Sequence, residues 1–297
     1  MADDGDKLYF CRNMKEIVTP NNSEFHSINC RGKLIDLNTP KIMGILNITP
    51  DSFSDGGNFL TEKSALLQVE KMVSEGAEFI DIGAQSTRPN SELLSAETEI
   101  LRLGKIISTI KKEFPETIIS LDTFYSEVVR FGFDEGIDLV NDISAGNFDS
   151  EMFKTVAELQ IPYVLMHVNP TYDSMHEKLI SDDLILKINY YFSEKIQQLQ
   201  SLGVKDLILD PGFGFGKTVE QQFQMIEEFQ FFGFGKMPLL AGISRKSFIY
   251  KSLGKLPTEI NAETQKFHLK LLEKGAKILR VHDVAETKNV IDEFLNL

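Results

Sequence analysis

Lys41-Ile42-Met43-Gly44-Ile45-Leu46-Asn47 decides the fold. It is an apolar run of strand length that closes on a polar residue. From about Lys63 a helical segment follows, with Ala65, Leu66, Val69, Met72 and Val73 on one face and Gly76 as its stop. Glu78-Phe79-Ile80-Asp81-Ile82-Gly83 repeats the strand, and Leu103, Ile106, Ile107, Ile110 and Phe114 mark the next helix. Further strands are read at 118–121, 137–140, 163–166, 207–209, 238–242 and 277–281, with no hairpin signal between them. Near-continuous apolar strands alternating with amphipathic helices imply parallel strands covered by helices. Eight such units in about 250 residues match a closed α/β barrel, (β/α)8 or TIM type, better than an open doubly wound sheet.

Working outward, Ile28-Asn29-Cys30-Arg31-Gly32-Lys33-Leu34-Ile35-Asp36 reads as a short hairpin turning at Arg31-Gly32. Residues 28–40 are therefore expected as an N-terminal hairpin at the bottom of the barrel, and residues 1–27 as an extra arm. The 297 residues read as one domain, a size that barrels reach as a single unit.

Net charge is −13, which argues against a general nucleic-acid or anionic-membrane binder, whose affinity rests on Lys and Arg neutralising phosphates. Cys11 and Cys30 are too few for a disulfide framework or a cysteine zinc site. The start Met1-Ala2-Asp3-Asp4-Gly5-Asp6 is acidic where a secretory signal is basic, and no uncharged apolar run approaches the roughly 20 residues of a membrane span. The expected compartment is cytoplasmic.

Polar residues gather at the C-terminal ends of the strands. Asn47, Thr49 and Asp51 follow the first, Gln85, Ser86, Thr87 and Arg88 the second, and Asp122 and Thr123 the third. Asn141 and Asp142, His167, Asp210, then Ser244, Arg245 and Lys246, then Arg280, His282 and Asp283 complete the set. In a barrel these ends share the rim that carries the active site. Singly, Asp122, Asn141 and Asp210 read equally well as caps or turn formers. Arg280 and His282 alternate by two and share a strand face. With strand 8 closing beside strand 1, they could surround one anion together with Ser244, Lys246 and Asn47.

The stretch Asp210-Pro211-Gly212-Phe213-Gly214-Phe215-Gly216-Lys217-Thr218 fails as a nucleotide loop. Pro211 replaces the first Walker glycine, and Lys217 replaces the third glycine of a dinucleotide fingerprint. It reads as a tight turn with close backbone approach that leaves Asp210 facing the mouth. No His, Cys or Asp grouping has transition-metal spacing, and His167 and His176 read as structural. Asn47, Asp51 and Asp55 offer hard oxygen ligands for Mg²⁺ held partly by substrate phosphates.

Met43-Gly44-Ile45-Leu46-Asn47-Ile48-Thr49-Pro50-Asp51-Ser52-Phe53-Ser54-Asp55-Gly56-Gly57 resembles the signature first loop of dihydropteroate synthases, and Gly83-Ala84-Gln85-Ser86-Thr87-Arg88-Pro89 resembles their second. Leu121-Asp122-Thr123, Asn141-Asp142-Ile143, Asp210-Pro211-Gly212, Ser244-Arg245-Lys246 and Arg280-Val281-His282-Asp283-Val284 match further motifs in the family's order. The likeness runs over roughly residues 28–297, and Asn90 departs from a common glycine.

The resemblance implies condensation of a dihydropterin methyl diphosphate with p-aminobenzoate, assisted by Mg²⁺, in a homodimer with small-molecule substrates. It implies that Asp122, Asn141, Asp210 and Lys246 hold the pterin. Asn47, Thr87, Arg88, Arg280 and His282 would hold the diphosphate, and Asn47 and Asp55 the Mg²⁺. Phe53, Thr87, Pro89, Phe215, Lys246 and Ser247 would border p-aminobenzoate. Asp122, Lys246, Asp55 and Asn47 would carry the chemistry, by dissociative displacement at the pterin's methylene carbon. The rival readings are a pterin-binding methyltransferase of the same superfamily and a non-catalytic barrel that binds a phosphorylated ligand.

Overall fold

The structure is a computed structural model that describes residues 26–48, 57–86, 91–169, 171–176, 183–235 and 237–296. Among these residues, β1 (Ser27–Cys30) and β2 (Lys33–Asp36) form an antiparallel hairpin. Eight parallel strands then close a barrel: β3 (Lys41–Asn47), β4 (Phe79–Gly83), β5 (Ile118–Asp122), β6 (Leu139–Asp142), β7 (Tyr163–Met166), β8 (Leu207–Asp210), β9 (Leu239–Ala241) and β10 (Ala276–Val281). Each strand pairs with the next in sequence, and β10 closes against β3.

Period-two alternation explains what each strand buries. Met43, Phe79, Ile118, Leu139, Val164, Ile208, Leu240 and Ile278, one from each barrel strand, form a single apolar cluster inside the barrel. Ile28, Cys30 and Leu37 join that cluster, so the hairpin plugs the bottom. The intervening residues, such as Ile42, Leu46, Ile80, Ile82, Ile119 and Leu121, pack outward against helix residues including Ala65, Val69, Ile107 and Ile110. Two positions further along, the inward series changes character. It reads Ile45, Asp81, Ser120, Asn141, Met166, Asp210, Gly242 and Arg280. The barrel therefore has an apolar floor and a polar upper storey.

The hairpin turns at Arg31-Gly32, both with positive φ (52° and 89°), the pairing that a two-residue turn between twisted strands demands. Asn29 Oδ1 accepts from Gly32 N at 2.7 Å, and Arg31 Nη1 donates to the carbonyls of Phe133 (3.0 Å) and Ile137 (3.3 Å), tying the plug to the barrel wall.

The helix expected around residues 103–114 is two helices, Ala96–Leu103 and Ile106–Glu113. Gly104 separates them with φ 50°, a conformation that the apolar spacing on either side conceals. The helix expected from Lys63 spans Gly57–Ser74, and Gly76 stands just past it with φ 102°. Among the described residues no helix is long and apolar enough to cross a membrane.

Candidate active site

Asp81 is the centre of the polar storey. It has no solvent exposure and accepts from Ser120 Oγ at 2.5 Å, Asn141 Nδ2 at 2.9 Å and Arg280 Nε at 2.6 Å. Arg280 Nη2 donates to Asp122 Oδ2 at 2.7 Å, so one guanidinium bridges two carboxylates. Being charge-assisted, these bonds are stronger than neutral ones and fix the fork's orientation. Arg280 was expected to face an anion, but its Nε and Nη2 are engaged by Asp81 and Asp122. Among the described residues, Nη1 and the second Nη2 hydrogen have no protein acceptor and can meet a phosphate.

Burial pushes the Asp122 carboxyl up to about 7; the Arg280 guanidinium opposes the shift, while Asp81 and Asp142 add to it. Asp210, at the end of β8, is also raised by burial, against the Gly212 N–H and the charges of Lys246, Arg280 and Lys217. Its Oδ1 accepts from Gly212 N at 2.7 Å. The turn-former reading therefore holds for one oxygen of Asp210, while the other has no donor among the described residues. At β6 the two polar residues divide by parity. Asn141 faces inward, its amide nitrogen donating to Asp81 and its carbonyl oxygen left for a ligand. Asp142 faces the other way and is the turn former, accepting from Ser144 N (2.6 Å) and Gly146 N (2.9 Å) and from the Tyr163 hydroxyl.

Lys246 follows Arg245, which turns the chain through φ 57° and donates to Asp283 at 2.7 Å. The Lys246 ammonium lies 4.6 Å from the centre of the Phe215 ring, a cation–π contact. Burial and the nearby Arg280 lower it to about 8, against the pull of Asp210 and Asp122. A Cβ on Gly214 would come within 2.9 Å of the Lys246 side chain, so a glycine is what lets the turn lie against the lysine. His282 Nδ1 lies 3.0 Å from Ser244 Oγ, and burial, with Arg245 and Arg280 beside it, lowers its imidazole to about 3. A neutral ring with Nδ1 engaged by the serine can present Nε2–H to an anion. Asn47 is exposed at the end of β3, and Ser247 is exposed in the first turn of the helix after Lys246.

Asn47, Asp122, Asn141, Asp210, Phe215, Lys246, Ser247, Arg280 and His282 thus share the barrel mouth. Phe53, Asp55, Thr87, Arg88 and Pro89 lie outside the described residues, and so does Asp51. His167 packs edge-on to Tyr191, and His176 stacks on Phe215. Asp81 and Ser120 escaped the sequence reading. Their signal was parity: each lies two residues beyond an inward apolar residue. A cavity of about 410 Å³ at the opposite end is lined by Arg31, Lys33 and Lys111, but all three are already tied to Glu116, Asp138 or backbone carbonyls.

A buried set of carboxylates, an amide and a lysine at the mouth of a barrel suits a flat heterocycle with donors and acceptors on its edge. The family described as "Pterin binding enzyme" matches residues 43–282, which defines the class. The dihydropteroate synthase of Haemophilus influenzae is 38% identical over 261 residues, covering 87% of this chain and 94% of that protein. The Xanthomonas albilineans dihydropteroate synthase with 4-aminobenzoic acid superposes with a TM-score of 0.85 at 33% identity, covering 92% of this chain and 98% of that one. The same enzyme in complex with 7,8-dihydropteroate gives 0.81 at 32%, covering 91% and 98%. The chain belongs to the dihydropteroate synthase family.

Proposed function

We infer that this chain is a working transferase of that family. It condenses (7,8-dihydropterin-6-yl)methyl diphosphate with p-aminobenzoate, giving 7,8-dihydropteroate and diphosphate for folate synthesis. The observation that carries this reading is the Asp81–Arg280–Asp122 bridge flanked by Asn141, Asp210 and Lys246, because it pairs pterin-edge chemistry with charge control at the reacting carbon. The free oxygen of Asp210 accepts from the pterin's ring N–H and amino group, Asn141 Oδ1 accepts beside it, and Lys246 donates to the ring's acceptors. The lysine stem and Phe215 border the arylamine together with Ser247.

In the displacement the C–O bond to the diphosphate breaks and its electron pair leaves with the diphosphate. The pterin spreads the positive charge, and the arylamine lone pair attacks the methylene carbon, after which the new ammonium gives its proton to solvent water. Ionised Asp122 is placed to stabilise that charge. Arg280 Nη1 and His282 Nε2 steady the leaving diphosphate, joined by Asn47, Thr87 and Arg88.

Among the described residues no three His, Cys, Asp or Glu side chains could together hold a metal. The exposed Asn47 amide nevertheless fits Mg²⁺, which commonly takes one or two protein oxygens and completes its shell with phosphates and water. Asn47, with Asp55, would hold it, and Mg²⁺ supplies neutralisation of the charge that builds on the diphosphate. A homodimer and competition by sulfonamide-type mimics of p-aminobenzoate belong to the same proposal. Sedimentation would test the first and inhibition kinetics the second.

The deciding experiment is chromatographic detection of dihydropteroate from the two substrates with Mg²⁺, beside Lys246→Ala and Asp122→Asn. Product from the wild type and strong impairment in both variants supports the reading. Folded wild-type protein that binds the pterin diphosphate without turnover rejects it.

A further inference from the structure

Lys217 has no part in the roles above. It closes the glycine-rich turn after β8, and its ammonium points back into that turn. Nζ donates to the carbonyls of Gly212 and Phe215, both at 3.0 Å, and meets His167 Nδ1 at 3.1 Å. Three N–H donors thus meet three acceptors. The third bond requires neutral His167, whose imidazole burial holds well below its usual range. Among the described residues no carboxylate lies within ion-pair distance of Lys217, and burial lowers its ammonium to about 7, with Asp210 pulling the other way. A buried cation without an ion pair is costly. Simple anchoring of the turn does not call for it, since Gln222 Oε1 already accepts from Gly214 N at 3.0 Å.

The geometry shows what the ammonium organises. Gly212, Gly214 and Gly216 all have positive φ (75°, 86° and 58°), so peptide planes flip along the turn. The Gly212 and Phe215 carbonyls face Lys217, while the Gly212 N–H faces Asp210 Oδ1. A Cβ on Gly212 would lie 2.1 Å from the His167 carbonyl oxygen and 3.3 Å from Lys217 Nζ, so a glycine is what lets the turn lie this close to His167 and the ammonium. The ammonium ties the turn to His167, and the turn carries both Asp210 at its start and Phe215 under Lys246.

We propose that Lys217 is a positioning residue for the pterin ring, acting through Asp210 and Phe215. The proposal rests on the reading that Asp210 accepts from the pterin edge. The test compares wild type with Lys217→Met, and with Lys217→Gln where the methionine variant does not fold. Two probes are titrated by calorimetry with Mg²⁺ present: 6-hydroxymethyl-7,8-dihydropterin for the ring and inorganic pyrophosphate for the anion site. Ring affinity falls at least tenfold and the KM for the pterin substrate rises with it, while pyrophosphate affinity stays within twofold.

Restoration adds a second readout. Lys217→Cys in a Cys11→Ser, Cys30→Ala background, alkylated with 2-bromoethylamine in denaturant and refolded, regains an ammonium and recovers ring binding. A folded Lys217 variant with ring affinity within twofold of wild type overturns the proposal. Equal loss for both probes does so too, since it marks general loosening. Asp210→Asn separates the two ideas. If it abolishes ring binding while Lys217→Met does not, the positioning role fails and the site reading stands. If it leaves ring binding intact, the site reading itself fails.

Discussion

Glu99 sits behind the active site with no solvent exposure, in the helix Ala96–Leu103. Among the described residues neither carboxylate oxygen has a hydrogen bond of normal length, and the Thr123 hydroxyl and Arg102 only soften the effect of burial. Burial, with Asp122 adding to it, raises the group to about 8. A carboxyl with a raised folded pKa prefers its proton in the native state. The unfolded chain releases that proton above its ordinary value, near 4.3. Stability therefore falls as pH rises from that value to about 8, then levels. At about 1.4 kcal/mol per unit, the loss between pH 5 and pH 8 reaches roughly 3 kcal/mol as an order of magnitude. Glu99→Gln keeps the shape and removes the titration. The two proteins should melt alike near pH 5. The variant should then become the more stable, by roughly 6 °C at pH 8 for a chain of this size. Thermal melts followed by circular dichroism at four pH values between 5 and 8 read this directly. Parallel Tm curves for the two proteins would refute the reasoning, as would a variant that loses ground as pH rises.

Asp81→Asn removes one carboxylate from beneath Arg280, and breaking that buried pair should cost about 3–5 kcal/mol in urea titration. The same change relieves Asp122 of a like charge, so the acid limb of the rate profile should move to lower pH. Lys246 loses its proton as pH passes about 8, so the KM for the pterin substrate should climb above that pH. Lys246→Arg, which stays charged, should flatten the climb even at reduced activity. Gly214→Ala brings a Cβ against the Lys246 side chain at a φ of 86°, and should raise pterin KM at least tenfold with the barrel intact by circular dichroism.

The barrel was legible because its strands are short apolar runs with polar ends, and every one of them lies within about two residues of its expected place. The Arg31-Gly32 turn was legible for a similar reason, since few other dipeptides reverse a strand so tightly. Gly104 was not: the apolar periodicity runs through it, and only the backbone shows the break. Within the site, reading strand ends found Asp122 and Asp210 but could not separate them from Asp142. Parity does so, because Asp122 lies four residues beyond Ile118 and faces inward, whereas Asp142 lies three beyond Leu139 and faces outward. Asp81 was hidden differently. A single carboxylate inside Phe79–Gly83 looks like an interruption of a strand until Arg280 is found opposite it, 199 residues away in sequence. The first- and second-loop residues Asp55, Thr87 and Arg88 lie outside the described residues, and strand-end position alone gave them no particular role.

The charge balance of the mouth leads to a last expectation. Among the described residues, Asp81, Asp122 and Asp210 lie around Arg280 and Lys246, while the Lys217 ammonium is turned back into its own loop. Arg280 is held by two of the carboxylates, and burial keeps His282 neutral through most of the working pH range. Such a mouth suits a neutral pterin ring and has little net positive charge to offer a diphosphate. The missing charge has to come from outside this set, from Mg²⁺ at Asn47 or from Arg88. Pyrophosphate affinity should accordingly fall at least tenfold when Mg²⁺ is replaced by excess chelator, while affinity for 6-hydroxymethyl-7,8-dihydropterin changes less than twofold. Calorimetry with each probe, with and without the metal, separates the two terms. Equal pyrophosphate affinity in both conditions would mean that the protein's own cations suffice, and that Arg280 exchanges its carboxylates for the phosphate when substrate arrives.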